Sequence, residues 1–246
     1  MSRARLNAIS FAALVAISAP LPVFAYRPFD QTDADVAAPH TIELELGPVG
    51  YIRQPTGGTF VPGFIFNYGP VDRIELVFDA HKSLLFGGPD VEARRRQLDT
   101  ELLIKGVLRK GSLQGETGPS LAAEAGALLP TLPAAGGAGA SLAFIASLRW
   151  PALAIHVNVE GDRTRDDGFA FIGGAIVEGP AAWTVRPVSE FFVAAQEDAS
   201  PTLSGLGGAI WRYNPNLSFD AAARIARENG ERVFELRAGL TWSFGI

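Results

Sequence analysis

From residue 41 onward, apolar and polar side chains alternate in segments of about ten residues. A period of two places successive side chains on opposite faces of a β-strand. The last segment shows this most clearly, because Phe234, Leu236 and Trp242 fall on one face and Glu235 and Arg237 on the other. Gly, Pro, Asn and Asp separate the segments and favour turns. The pattern predicts twelve strands, near residues 41–53, 57–67, 71–83, 97–110, 119–129, 140–150, 152–161, 168–178, 182–194, 202–213, 216–226 and 232–244.

Strand length and aromatic position distinguish a membrane barrel from a soluble β-sandwich, which alternates in the same way. Tilted strands that cross a membrane need about nine to eleven residues, whereas strands in soluble sheets usually have about five or six. Aromatic residues at strand ends, such as Trp150, Trp183, Trp211 and Trp242, are typical of the girdles at a membrane interface. We therefore predict an all-β fold, an antiparallel up-and-down transmembrane β-barrel of about twelve strands. A secreted β-sandwich is the alternative.

The amino-acid composition narrows the possible functions. Hydrophobic residues make up 48% of the chain and the mean hydropathy is +0.17. After residue 25, however, no apolar run reaches the roughly twenty residues that a membrane helix needs. The formal net charge of −5 argues against a nucleic-acid-binding surface, which is usually basic. The chain has no cysteine, which excludes disulfides, thiolate metal sites and a cysteine nucleophile.

The N-terminal residues have the features of an export signal. Arg3 and Arg5 precede a short apolar stretch that ends at Pro20, and Val23-Phe24-Ala25 matches a signal-peptidase site. We predict a Sec signal peptide over residues 1–25, cleaved after Ala25, and location in the outer membrane. An uncleaved N-terminal anchor is the alternative.

Residues 26–40 are too polar and too rich in proline to form a membrane strand. They form either a disordered periplasmic tail or a small plug in which Tyr26, Arg27 and Phe29 enter the lumen. The predicted domain organisation is therefore a signal peptide (1–25), a periplasmic segment or plug (26–40) and a barrel (41–246).

An even number of strands places both termini in the periplasm. The connections at 67–70, 149–151, 178–180 and 213–216 are then periplasmic turns, and those at 84–96, 130–139, 162–167 and 195–201 are outer loops. The connection at 111–118 is long for a periplasmic turn. Pro187 lies inside a predicted strand and lacks the N–H that a ladder uses, which predicts a bulge there.

The polar faces of the strands predict the lining of the lumen. Charges of both signs occur on these faces, so they form either an ion-pair network that fills the interior or a polar path for solutes. The lining residues that we expect are Arg73, Glu75, Glu101, Glu124, Arg149, Arg186, Glu190, Arg212 and Arg224.

These features favour an outer-membrane channel for passive diffusion or uptake of small molecules. A closed structural or adhesion barrel with interacting outer loops is the alternative. An outer-membrane lipid enzyme is a third possibility, but His156 and Asn158, which could supply a catalytic pair, are predicted to point inward. The spacing of the histidines and carboxylates indicates no metal site, and no phosphate-binding loop or other cofactor motif is present.

The expected partners follow from the envelope location. They are outer-membrane lipid, the barrel-assembly machinery that reads a terminal aromatic strand, and a small-molecule solute. The basic run Arg94-Arg95-Arg96 in a predicted outer loop is a candidate contact for lipopolysaccharide.

Several stretches of the mature chain resemble a family of proteobacterial outer-membrane β-barrels, near the meta-pathway phenol-degradation and transporter barrels. The matching stretches are Arg27-Pro28-Phe29-Asp30 through Asp33-Ala34-Asp35, Glu43-Leu44-Glu45-Leu46-Gly47, Lys105-Gly106-Val107-Leu108-Arg109, Gly118-Pro119-Ser120, Trp183-Thr184-Val185-Arg186-Pro187-Val188 and the final strand. The resemblance implies the barrel fold, location in the outer membrane and uptake of small hydrophobic or aromatic compounds. It assigns no functional residue.

Overall fold

The computed structural model describes residues 27–54, 57–86, 97–133, 136–197 and 199–246. The predicted signal peptide, Tyr26 and Arg94–Arg96 lie outside the described residues. Within them the chain forms thirteen antiparallel strands and one short 3-10 helix, Ser112–Gln114. The strands are β1 (Thr41–Gln54), β2 (Gly57–Phe60), β3 (Gly63–Val71), β4 (Ile74–Phe86), β5 (Gln97–Arg109), β6 (Ser120–Leu132), β7 (Gly139–Arg149), β8 (Ala154–Arg163), β9 (Phe169–Glu178), β10 (Val185–Gln196), β11 (Thr202–Asn214), β12 (Leu217–Glu228) and β13 (Glu231–Gly245).

The strands close into a twelve-stranded barrel. β2 and β3 each pair with β1 on one side and β4 on the other, so they are two parts of one barrel strand, interrupted at Val61 and Pro62. From β3 onward, each strand pairs with the next along the chain, and β13 pairs with β1 from Thr41–Gly245 to Arg53–Phe234. Closure leaves no unpaired edge, as a bilayer requires. The predicted fold class is confirmed.

The outer face of the barrel is apolar. Large hydrophobic side chains such as Leu102, Phe144, Phe191 and Ile225 project outward and are 50–67% exposed. Charged side chains such as Glu75, Lys105 and Glu190 alternate with them along the strands and are buried inside. This is the inverse of a soluble sandwich, so the outer face is suited to lipid and the inner face to a polar lumen. No helix among the described residues is long and apolar enough to cross a membrane.

Aromatic side chains cluster at the end of the barrel where β1 begins and β13 ends. Trp211, Tyr213 and Phe219 form one group of contacting rings, and the rings of Trp242 and Phe244 lie 5.0 Å apart with their planes tilted by 45°. Connection length does not separate the two ends, because connections of two residues occur at both, at 72–73 and 215–216 and at 55–56 and 229–230. The even number of barrel strands places the start of β1 and the end of β13 at the same end. In outer-membrane barrels of this type that end faces the periplasm.

Two local predictions are wrong. The predicted turn at 67–70 lies inside β3, and the chain turns at Asp72 and Arg73 instead. Pro187 pairs in register with Ala209 and causes no bulge. Its carbonyl accepts the Gly179 N–H, on the side where β9 has ended. The proline nitrogen therefore faces a turn, and the missing N–H costs no ladder bond.

Candidate functional site

Residues 27–40 lie inside the barrel and precede β1. Hereafter this stretch is called the N-terminal segment. Along its length it contacts β13 and β1, then β10, β8, β7, β4 and finally β3, so that it follows the inner wall around the lumen. Ala34 is fully buried and packs with Leu113, Ala122, Ala143 and Ile145. The segment thus occupies the lumen with specific packing.

Carboxylates of the wall hold the backbone of the segment. Glu190 accepts hydrogen bonds from the N–H groups of Asp30 and Gln31, each at 2.9 Å. Glu45 accepts the Arg27 N–H at 3.0 Å, and Glu75 accepts the Ala37 N–H. Hydrogen bonds to a charged acceptor are stronger than neutral ones. These glutamates therefore satisfy N–H groups that no strand partner could reach.

Uncharged side chains of β7 and β8 add two further anchors. Ser147 Oγ accepts the Ala34 N–H at 2.9 Å. The Asn158 side-chain amide donates to the Thr32 carbonyl at 2.8 Å. The backbone of the segment is thus anchored on both donor and acceptor groups.

Cationic side chains of the wall bind the acidic residues of the segment. Arg237 contacts Asp30 at 2.7 Å and also donates to the Pro28 carbonyl. Lys105 lies 3.7 Å from Asp33 and donates to the Thr32 hydroxyl. In the opposite sense, Arg27 of the segment lies 3.5 Å from Asp220 of the wall. The charges of segment and wall are therefore complementary.

Glycines on the inner face make room for the segment. A Cβ at Gly47 would lie 2.2 Å from the Arg27 guanidinium, and one at Gly239 would lie 2.4 Å from it. A Cβ at Gly69 would overlap the carbonyls of Ala37 and Ala38. Gly69 and Gly239 need glycine because a Cβ there would overlap backbone carbonyls, of Ala37 and Ala38 and of Leu46 respectively. At Gly47 a Cβ would instead require the Arg27 guanidinium to move.

The long connection at 111–118 folds toward the segment. Leu113 is buried, and the Gln114 side chain donates to the Ala34 carbonyl and to Asp35, both at 3.0 Å. The unusual length of this periplasmic connection is thus explained by its contact with the segment.

Asp33 and Asp35, two of the three aspartates of the segment, have pKa values shifted in opposite directions. Asp33 is buried, which opposes ionisation, but Lys105 and the Asp35 N–H outweigh that penalty and lower the pKa of Asp33. Burial, together with the nearby negative charge of Asp33, raises the pKa of Asp35 to about 6. Asp33 therefore stays ionised at neutral pH, whereas Asp35 titrates just below it.

A cavity of about 440 Å³ lies on the outer side of the segment. Arg27, Phe29, Asp30, Gln31 and Thr32 form its floor. One part of its wall is apolar, with Ile52, Val61, Ile65, Val77 and Leu103, and another is acidic, with Asp79, Glu101, Glu124 and Glu160. A second cavity of about 410 Å³ shares Glu101 and Glu160 with it and adds Asp99, Asp162 and Arg165.

The predicted lining residues separate into three groups. The first group contacts the segment: Glu75, Glu190 and Arg224, the last at 3.8 Å from Asp30. The second group lies elsewhere on the inner wall: Glu101 beside Arg165, Glu124 at the cavity, and Arg186 at 3.1 Å from Glu178. The third group is at the periplasmic rim: Arg73 in the β3–β4 turn beside Asp72, Arg149 at the end of β7, and Arg212, which donates to the Ala182 carbonyl.

A buried serine–histidine contact lies beneath the segment. Ser147 Oγ is 2.8 Å from His156 Nδ1, and both residues are about 1% exposed. The same oxygen accepts the Ala34 N–H. The pair is therefore covered by the segment and gives no substrate access to a nucleophile. No group of three or more His, Cys, Asp or Glu side chains in the described part of the chain could hold a metal ion.

No protein-family model matches the chain, and no curated protein matches it in sequence. An outer membrane channel from Pseudomonas putida F1 has a similar structure, with a TM-score of 0.68 and 12% identity over 88% of this chain and 100% of that one. This chain has the fold of a twelve-stranded outer-membrane β-barrel.

Two further barrels of this kind are similar. The NanC porin has a TM-score of 0.61, with 6% identity over 82% of this chain and 98% of that one. The KdgM porin in complex with disordered oligogalacturonate has a TM-score of 0.54, with 10% identity over 83% and 99%. Identities this low extend the likeness to the barrel fold and no further.

Proposed function

We propose that this barrel is an outer-membrane channel for small solutes, in which the N-terminal segment is a plug that narrows the lumen. The cavity of about 440 Å³ above the segment carries the proposal, because its volume is that of a small-molecule site. Its floor is the segment itself, so displacement of the segment would join the cavity to the periplasmic side. Export by the signal peptide of residues 1–25 belongs to the same proposal.

The charges around the cavity favour cations. On the wall formed by β4–β8, Asp79, Glu101, Glu124 and Glu160 line the cavity. On the opposite wall, the charges of Arg224 and Arg237 are offset by contacts with Glu235, at 3.0 and 2.7 Å, and with Asp30. The excess of carboxylates attracts cations and repels anions at low and moderate salt.

The apolar part of the wall favours solutes with a hydrophobic portion. Ile52, Val61, Ile65 and Val77 line the cavity together. A small molecule with a hydrophobic or aromatic group could bury it there, which agrees with the solutes that the family resemblance implies. The rival interpretation, a closed structural barrel, has no use for a partly apolar and partly acidic cavity.

Planar bilayer recording tests the proposal. The refolded mature chain should give steady conductance steps, and a KCl gradient should give a reversal potential of cation-selective sign. The double variant Glu124→Gln, Glu160→Gln should lose much of that selectivity, whereas Glu116→Gln, on the exposed periplasmic connection, should retain it. An inserted barrel that is silent, or one that prefers anions, would contradict the proposal.

A further inference from the structure

Three arginines form a cluster on the outside of the barrel at its outer end. They are Arg53 on β1, Arg227 on β12 and Arg232 on β13, and all three are exposed. Each continues an outward-facing row of its strand: Arg53 follows Tyr51, Arg227 follows Ile225, and Arg232 precedes Phe234. The cluster therefore faces the lipid side of the barrel and lies outside the lumen.

The register brings these side chains together across the seam where the barrel closes. Arg227 is the direct cross-strand partner of Arg232. Arg53 is the partner of Phe234, two residues from Arg232, which makes Arg53 and Arg232 diagonal neighbours. Direct and diagonal pairs of this kind have Cα atoms about 5 and 7–8 Å apart.

No carboxylate in the described part of the chain neutralises this charge. Like charges directly opposite each other are unfavourable in a sheet. The inward-facing neighbour Glu228 contacts Arg224 at 2.7 Å, but none of the three arginines forms an ion pair with another described residue. Elsewhere at the outer end, Arg163 also faces outward, and there Asp167 pairs with it at 2.7 Å. An uncompensated cluster of this kind is suited to an anionic ligand.

The position of the cluster identifies the source of the anion. Ile225 is 67% and Phe234 40% exposed, and both lie two residues farther into the membrane than the arginines. Two residues of a strand span about 7 Å. Ile225 and Phe234 therefore lie at the level of the acyl chains, and the arginines at the level of the headgroups. The connection beside Arg227 and Arg232 is two residues long, at 229–230, and is too short to cover them.

We infer that Arg53, Arg227 and Arg232 form a binding site for the phosphates of a lipid A-type glycolipid in the outer leaflet. Arginine suits this ligand because its planar guanidinium donates two parallel hydrogen bonds to phosphate oxygens. The acyl chains of the same molecule would lie against Ile225, Phe234 and Tyr51. The inference is independent of what passes through the lumen.

Binding of fluorescently labelled diphosphoryl lipid A to the detergent-solubilised barrel tests the inference. The triple variant Arg53→Gln, Arg227→Gln, Arg232→Gln should bind it at least tenfold more weakly. Arg163→Gln is the matched control, with the same residue type, face and end of the barrel, and should bind within twofold of the parent. A heat-modifiable gel band verifies that each variant is folded, and the double variant Arg227→Gln, Arg232→Gln serves if the triple variant does not fold.

Two further probes distinguish the glycolipid from a general anionic surface. Lipid A without phosphates should bind the parent as weakly as diphosphoryl lipid A binds the triple variant. Phosphatidylglycerol should bind more weakly than diphosphoryl lipid A and should be insensitive to the substitutions. Equal affinity of parent and triple variant for diphosphoryl lipid A would overturn the inference. An equal loss in Arg163→Gln, or equally tight and equally sensitive binding of phosphatidylglycerol, would also overturn it.

Discussion

Glu190→Ala should release the N-terminal segment from the barrel wall. Glu190 is 3% exposed and accepts two backbone hydrogen bonds, from Asp30 and Gln31. A hydrogen bond contributes about 0.5–1.5 kcal/mol between neutral groups and about 1.5–3 kcal/mol when one group is charged. We use the value at which the two ranges meet for both bonds, about 3 kcal/mol in total. At 1.4 kcal/mol for each factor of ten, the released fraction should rise about 100-fold.

The released fraction of the segment can be measured with a single introduced cysteine, because the chain has none of its own. A single Ala34→Cys reporter places a thiol at a position that is fully buried while the segment is docked. The thiol can react with a soluble maleimide only when the segment opens, so the labelling rate follows the opening equilibrium. Adding Glu190→Ala to the reporter should accelerate labelling about 100-fold.

Two controls bracket the expected acceleration. Glu190→Gln retains an acceptor oxygen without its charge and should give an intermediate rate. Glu197→Ala removes an exposed glutamate just beyond the outer end of β10 and should change nothing. A rate in Glu190→Ala within threefold of the reporter alone would refute the anchoring role of this carboxylate.

Two more predictions concern the same segment. Because the pKa of Asp35 is raised from 3.8 to about 6, its contribution to docking is fully present below pH 4 and is lost as the pH rises through 6. Labelling of the Ala34→Cys reporter, normalised to a free peptide, should therefore increase from pH 5 to 7, and Asp35→Asn should reduce the increase. Gly47→Ala should displace the Arg27 guanidinium from its site beside Asp220, because the new Cβ would overlap it. Loss of one contact with a charged group costs about 1.5 kcal/mol, so labelling should accelerate about tenfold while the unfolding temperature of the barrel stays unchanged.

The barrel was predictable from the sequence because the period of two directly encodes which side chains face lipid and which face the lumen. Along β13, the apolar residues Phe234, Leu236 and Trp242 are exposed and Glu235 is buried, as the alternation indicated. The error at residues 67–70 arose from Gly69 and Pro70, which favour a turn. In the structure Gly69 lies against the carbonyls of Ala37 and Ala38, so its glycine serves packing and does not mark a turn.

The contacts of the N-terminal segment could not be predicted in the same way. The hydrogen bonds to Glu45, Glu75 and Glu190 use backbone N–H groups, which every residue except proline carries, so they leave no pattern in the sequence of the segment. The sequence of the barrel strands contains one indication of these contacts. Gly47 and Gly239 occupy inward-facing positions in otherwise charged rows, and such glycines indicate the close approach of another backbone or side chain.

The conductance of the barrel with and without residues 27–37 tests most directly whether the segment plugs a channel. The deletion ends before Ala38, whose carbonyl accepts the Thr41 N–H at the start of β1, so the barrel strands stay intact. Both chains would be refolded, verified by the heat-modifiable gel band and recorded in planar bilayers in the same salt. The plugged-channel account predicts a several-fold larger single-channel conductance for the deletion. Equal conductance of the two chains, or silence of both, would contradict it.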